Sequence, residues 1–284
     1  MAKPRTNTTE VRVHVNSQVR VNVTVQVHAE QERVPLRFGQ GNAKLNQAIT
    51  TFSLPAGWTC PTAKNCLSKA DRKTGILTDG PHVQFRCYAA SMECRRPSVR
   101  RSRWHNLDLL RRCRSADEMA QLILDSLSPF AGYVRVHDSG DFFSQDYFDA
   151  WVQVAQVRPK TTFYWYTKAL TLWVRRRHLV GDGYEPGAVP NIVPTASLGG
   201  AHDYLIREHR LRSTRVVFSE SEANDLGLAV DHDDSHAMTH GANFALLLHG
   251  QQPAGSEAAR AARALRDAGF YGYGKSNRVP LTVV

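Results

Sequence analysis

The sequence predicts an α/β fold, a partial (β/α) barrel of about six parallel strands, with a doubly wound sheet as the alternative. Three observations carry that expectation. Six short apolar or β-branched runs recur with little internal alternation, as strands covered on both faces do. Stretches of helical periodicity with recognisable caps lie between them. Each strand candidate runs straight into polar or flexible sequence, and a barrel-like sheet gathers such loops at its C-terminal edge.

In chain order, Val11, Val13, Val15, Val19, Val21, Val23, Val25 and Val27 alternate with polar residues at a period of two. Residues 1–35 are expected as an extension, either a β-hairpin or a disordered leader, and 36–284 as one partial-barrel domain. The first strand is expected over 48–54, before LPAGWTC, and the second over 133–137, before HDSGDF. Strands over 162–166, 191–195, 214–218 and 244–249 complete the set. Pro97 suits the first turn of an Arg-rich helix. Ser115 with Glu118 and Ser219 with Glu222 read as capping boxes, and Ser144 and Ser256 as N-caps. After Ser144, the residues Tyr147, Phe148, Trp151, Val152 and Ala155 recur at spacings of three and four, giving one apolar helical face.

Composition narrows the classes. The 284 residues are 42% hydrophobic and include 19 glycines, which excludes a disordered or collagenous chain. Five cysteines do not make a secreted disulfide framework. No signal-like apolar core opens the sequence and no run reaches eighteen apolar residues, so a cytoplasmic protein without a membrane span is expected. The formal charge is +10, and nine arginines between Arg86 and Arg114 face only Glu93 and Asp108. The cluster Arg95–Arg114 either tracks the phosphates of a nucleic acid or other polyanion, or packs against acidic groups.

Cys60, Cys66, Cys87 and Cys94 fall in the first third of the chain, spaced C-x5-C, x20 and C-x6-C, with Cys113 apart. Such a set is ligand to a metal or cluster, a group of small buried hydrophobes, or redox-active. Soft thiolates select zinc or iron–sulfur clusters, and three of them on a [4Fe-4S] cluster would leave one iron open for a small molecule. Polar residues gather at the other strand ends. His137, Asp138, Ser139, Gly140 and Asp141 follow the second strand, as a ligand loop or a helix-entry turn. Lys168 closes the third, and Ser197, Gly199 and Gly200 the fourth. His232, Asp233, Asp234 and His236 read as a metal site or a loop of Asx turns. His249 reads as a site residue or a core histidine.

The stretches FGQGNAKL (38–45), FSLPAGWTCPTAKNCLSKADR (52–72), DGPHVQFRCYAAS (79–91), VRVHDSGDFFSQDYFDAW (134–151), TASLGGAHD (195–203) and FALLLHGQQPAGS (244–256) resemble the Gene Product 88 family. That family occurs in mycobacteriophages and actinobacterial mobile elements, and the resemblance covers roughly residues 36–275. Its members are distantly similar to radical S-adenosylmethionine proteins. The resemblance implies Cys60, Cys66 and Cys87 as ligands of a [4Fe-4S] cluster, and Ser139, Gly140 and Asp141 as the loop handling the aminoacyl end of S-adenosylmethionine. Lys168, Ser197, Gly199 and Gly200 complete the expected cofactor site, and an electron donor is the expected partner. The expected function is an iron–sulfur-dependent enzyme of the radical S-adenosylmethionine type. The alternative is a zinc- or cluster-stabilised nucleic-acid-binding protein without turnover.

Overall fold

The strand and helix signals of the sequence convert into elements almost one for one in the computed structural model, which describes residues 34–42, 44–181 and 187–273. The valine-alternating segment lies outside the described residues. The described elements all belong to the unit that begins at Leu36.

In chain order they are β1 (Phe38–Gln40), β2 (Ile49–Ser53), β3 (Ser68–Ala70), β4 (Leu77–Asp79), α1 (Tyr88–Arg95), α2 (Pro97–Leu110), α3 (Ala116–Ser126), β5 (Tyr133–Ser139), α4 (Gln145–Val157) and β6 (Thr162–Thr167). Then come α5 (Leu170–Arg175), β7 (Ile192–Ser197), α6 (Tyr204–Glu208), β8 (Ser213–Val217), α7 (Glu220–Asp225), β9 (Ala229–Val230), α8 (Ser235–Met238), β10 (Phe244–Leu247) and α9 (Glu257–Asp267). The six expected strands are β2, β5, β6, β7, β8 and β10. They belong to one eight-stranded sheet of order β1-β2-β5-β6-β7-β8-β10-β9, in which β1 runs antiparallel to β2 and the other pairs are parallel. The short β1 and β9 and the β3–β4 hairpin have too few residues to show a period, which is why the sequence did not reveal them.

The helix starts follow their caps. Ser115, Ser144, Ser219 and Ser256 each accept a hydrogen bond from the backbone N–H three residues on, a contact worth about 1 kcal/mol each. Pro97 is the first residue of α2. On α4 the apolar stripe is buried as its spacing requires, and Trp151 meets Phe52 of β2 at 5.4 Å and Phe163 of β6 at 6.0 Å. Strand β6 shows how the sheet divides its faces. Phe163 and Trp165 join the core under α3 and α4, whereas Tyr164 and Tyr166 point to the opposite face.

One irregularity interrupts the ladder between β2 and β5. Phe52 faces Val136 but Ser53 faces Ser139, so His137 and Asp138 are extra residues in a bulge. His137 there has φ 70°, a conformation that costs a non-glycine residue about 1–3 kcal/mol. Packing holds it: the His137 ring lies edge-on to Phe142 at 4.5 Å, and its Nε2 is 3.0 Å from the Tyr147 hydroxyl. No helix among the described residues is long and apolar enough to cross a membrane.

Candidate functional site

Two adjoining cavities open at the carboxyl ends of the parallel strands. The larger is about 430 Å³ and the smaller about 170 Å³, and both are bordered by Tyr88, Arg135, Asp138, Leu246 and His249. The bulge in β5 places Asp138 where both can reach it.

The smaller cavity is built by the cysteine loop. Gly57 starts that loop at φ 71°, where a Cβ would fall 2.3 Å from the Ser68 carbonyl. Its N–H lies 3.3 Å from the Cys60 Sγ. The loop is then tied to the end of β7. Lys64 and Asn65 donate their N–H groups to the Gly199 carbonyl, each at 3.0 Å, and the Thr62 hydroxyl donates to the Lys168 carbonyl at 2.7 Å. The Asn65 carbonyl in turn accepts from the Gln84 and Phe85 amides, which brings the chain round to Cys87 at the head of α1. Cys60, Cys66 and Cys87 consequently border one cavity, and Cys94 and Cys113 are not among its lining residues.

The metal expectation fails at this point. Among the described residues no group of three His, Cys, Asp or Glu side chains is arranged to hold a metal ion. The three thiols share a cavity without converging as ligands. In the metal-free protein Cys60 and Cys87 are held as thiols. Burial foremost, then the Asp141 charge, pushes the Cys60 thiol well above its ordinary value, and burial with the nearby Cys66 pushes Cys87 up to about 11. The [4Fe-4S] cluster and the zinc alternative are therefore overturned. With the cluster go the bound S-adenosylmethionine it would cleave and the radical enzyme.

The polar residues expected to hold a cofactor are found together, but most are engaged within the protein. Asp141 is buried and accepts from the Thr167 hydroxyl at 2.6 Å, the Lys168 amide at 2.8 Å and the Phe142 amide at 2.8 Å. Lys168 places its ammonium on the Ser197 hydroxyl at 2.6 Å and on the Ser197 and Leu198 carbonyls at 3.1 and 2.7 Å. The Ser139 hydroxyl donates to the Leu54 carbonyl at 2.8 Å. Gly199 and Gly200 give their N–H groups to the Asp203 carboxylate. Ser139, Gly140, Asp141, Lys168 and Ser197 border the smaller cavity; Gly199 and Gly200 act from behind, holding the cysteine loop.

Beside them lies a charged constellation that sequence reasoning missed. Asp234 has no exposed surface and accepts from Arg135 at 2.7 Å, from Lys44 at 2.6 Å, and from the Tyr166 and Tyr164 hydroxyls at 3.0 and 3.2 Å. Burial alone would raise its carboxyl. Arg135 first, then Lys44, overcome that and hold it at about 2. The acid in the His232–His236 stretch is thus the buried anchor of two cations and no metal ligand. Arg135 carried one signal in the sequence, a charge interrupting the apolar strand YVRVH; Lys44 carried none. The Asp138 carboxylate accepts from Asn42 at 2.8 Å and from the Tyr88 hydroxyl at 3.1 Å. His249 sits between Tyr88 and Tyr273, ring centroids 4.7 and 4.8 Å away, and burial foremost lowers it to about 4, so the ring is neutral near pH 7.

The arginine cluster divides. Arg100 is buried and donates to the carbonyls of Glu93, Arg72 and Lys73, and buried Arg103 donates to the Glu93 carboxylate at 2.9 Å and the Ala89 carbonyl at 2.9 Å. Those two arginines fix α1 to α2 and are not part of a phosphate-tracking face. Arg95, Arg96, Arg101, Arg111, Arg112 and Arg114 remain exposed.

The Gene product 88 family model matches residues 30–268, and the chain belongs to that family. It is 29% identical over 142 residues to the Gene 88 protein of Mycobacterium phage L5, a match covering 46% of this chain and 52% of the phage protein. The chain thus spans about half the length of that relative. No solved structure matches. Neither match ties the chain to radical S-adenosylmethionine proteins, and that part of the expectation is corrected.

Proposed function

We propose that this member of the Gene product 88 family binds a small organic molecule in the divided cavity at the carboxyl edge of its sheet. The observation that carries this is the pair of adjoining cavities, about 430 and 170 Å³, sharing Arg135, Asp138 and His249 at the strand ends. The larger alone falls in the range of about 300–1,000 Å³ usual for ligand pockets. Ser139, Gly140, Asp141, Lys168 and Ser197 form the inner end, where their internal hydrogen bonds keep the loops rigid. Gly199 and Gly200 serve the site by holding the cysteine loop against it. Residues of β2, β5 and β10 border the same space although β2 and β10 are far apart in the sheet order. This supports a sheet curled as an open (β/α) barrel, with residues 36–284 as its single domain.

A thermal-shift screen against small metabolites tests the proposal. A ligand at a hundred times its Kd should stabilise the protein by about 2.7 kcal/mol. Leu246→Trp, which fills the border between the cavities, should abolish the shift. Hits that persist unchanged in this variant, or a panel without hits, would refute the proposal.

A second contact is supported by Arg96, Arg101, Arg111 and Arg112. They are exposed, and no carboxylate among the described residues pairs with them. We infer that they meet a nucleic-acid backbone. Binding to duplex DNA should weaken steeply with salt and be lost in a four-site glutamine variant; salt-independent binding would refute it.

A further inference from the structure

We propose that the larger cavity is a receptor for an organic anion, a carboxylate or a phosphate ester, whose charge is met by Arg135 with Arg37 and Lys44. The proposal rests on the small-molecule site above and names the chemistry that site selects.

Charge is the first support. Among the described residues four cationic side chains border the larger cavity, Arg37, Lys44, Arg103 and Arg135, against one carboxylate, Asp138. Their acidic neighbours beyond Asp138 are Asp234, Glu93 and the buried Asp231 near Lys44, which leaves Arg37 without a carboxylate partner among the described residues. Asp234 is shared between Lys44 and Arg135, so one buried carboxylate serves two cations. Glu93 serves Arg103, and Arg37 is exposed. Cationic side chains grouped on the wall of a partly dry cavity favour an incoming anion, because Coulomb interactions strengthen as water is excluded.

The second support is an unused donor. Arg135 is about nine-tenths buried, its Nη1 goes to Asp234 at 2.7 Å, and its Nε is buried without a hydrogen-bond partner. Leaving a buried charged donor unpaired is costly, and an anion brought beside the guanidinium offsets that cost through its charge. The guanidinium is fixed for that purpose, lying over the Tyr166 ring at 5.0 Å with the Asp234 contact on one side. The fork geometry of arginine suits both carboxylate and phosphate. Lys44 is held in the same way, its ammonium 4.6 Å above the Tyr273 ring.

The third support is the rest of the wall. Phe38, Tyr88, Met92, Leu246 and Tyr273 make it mainly apolar and aromatic, so the anion is expected on an organic body and not as a free inorganic ion. The Asn42 amide and the Tyr88 hydroxyl donate to the Asp138 Oδ1, and its Oδ2 lies 4.0 Å from Arg103, contacts that temper its repulsion of an anion.

The test uses the full chain in low salt with four probes: inorganic phosphate, phenyl phosphate, benzoate and the neutral isostere benzamide, followed by ligand-observed NMR. Benzoate or phenyl phosphate should bind at least about tenfold tighter than benzamide, since hydrogen bonds to ionised groups are about twice as strong as neutral ones. Whichever anion binds tighter identifies the headgroup. Arg37→Ala, whose side chain is at the surface, should weaken the anion about fivefold without changing Tm, a loss of the order expected for one exposed ion pair. Arg135→Lys should keep part of the affinity and Arg135→Met remove it. If Arg135→Met fails to fold, Arg37→Ala and the benzamide comparison still decide. Equal binding of benzamide and benzoate would overturn the anion receptor and leave the small-molecule site standing. Binding of inorganic phosphate alone, with no effect of Leu246→Trp, would overturn both.

Discussion

Replacing Asp234 by asparagine probes the charge at the centre of the site, because the side chain keeps its shape while losing its negative charge and one of its two acceptor oxygens. Arg135 and Lys44 both end on this carboxylate, at 2.7 and 2.6 Å, and each side chain is about 10% exposed. The substitution leaves two largely buried cations without a counter-ion, and removing one member of a buried pair costs about 3–5 kcal/mol. The lowered carboxyl corresponds to a smaller figure. The carboxyl is held at about 2 against an ordinary 3.8, a difference that corresponds to about 2.5 kcal/mol at neutral pH. The sign follows from which state binds the proton. The folded form resists protonation that the unfolded chain accepts below 3.8, so the stabilisation is full above that pH and disappears as the pH falls through about 2. At pH 3 about half of it remains. Urea unfolding of both proteins at pH 7 and in acid measures this. Asp234→Asn should be about 3–5 kcal/mol less stable at pH 7, with a Tm lower by roughly 6–15 °C, and the gap should narrow on acidification. A variant within 1 kcal/mol of the parent, or a gap that ignores pH, would refute the role given to Asp234.

His137 and His249 are held neutral, at about 3 and about 4, each chiefly by burial. The unfolded chain protonates them below 6.5, so stability should fall as pH drops from 6.5, by up to about 1.4 kcal/mol per pH unit for each. His249→Phe should remove one share of that slope, and an unchanged slope would count against it. Gly140→Ala should cost about 2–3 kcal/mol, because φ is 87° and the new Cβ would lie 2.6 Å from the Thr59 hydroxyl and 2.8 Å from the Leu54 Cβ; denaturant titration reads it, and a neutral effect would show the loop to be adaptable. Native Cys87, raised to about 11, should react with iodoacetamide at pH 8 about a hundredfold slower than an ordinary thiol and recover the normal rate in guanidinium. Fast labelling of the native protein would show a thiolate instead.

The sequence by itself determined the six longer parallel strands and the starts of five helices. Continuous apolar runs such as FYWYT and capping serines such as Ser115 and Ser144 act over a few residues, and local physics suffices to place them. It also brought Cys60, Cys66, Cys87, Asp141 and Lys168 to one edge of the sheet, since chemistry at the ends of parallel strands must gather there. What those groups do was decided only by the tertiary structure. Spacing cannot tell whether three thiols converge as ligands, and Asp141 and Lys168 are committed to loops brought beside them by folding. The two-residue bulge that turns Asp138 towards the cavities depends on register with β2. The union of Lys44, Arg135 and Asp234 spans 190 residue positions, and a charge finds such a partner only when burial removes the water that would otherwise serve it.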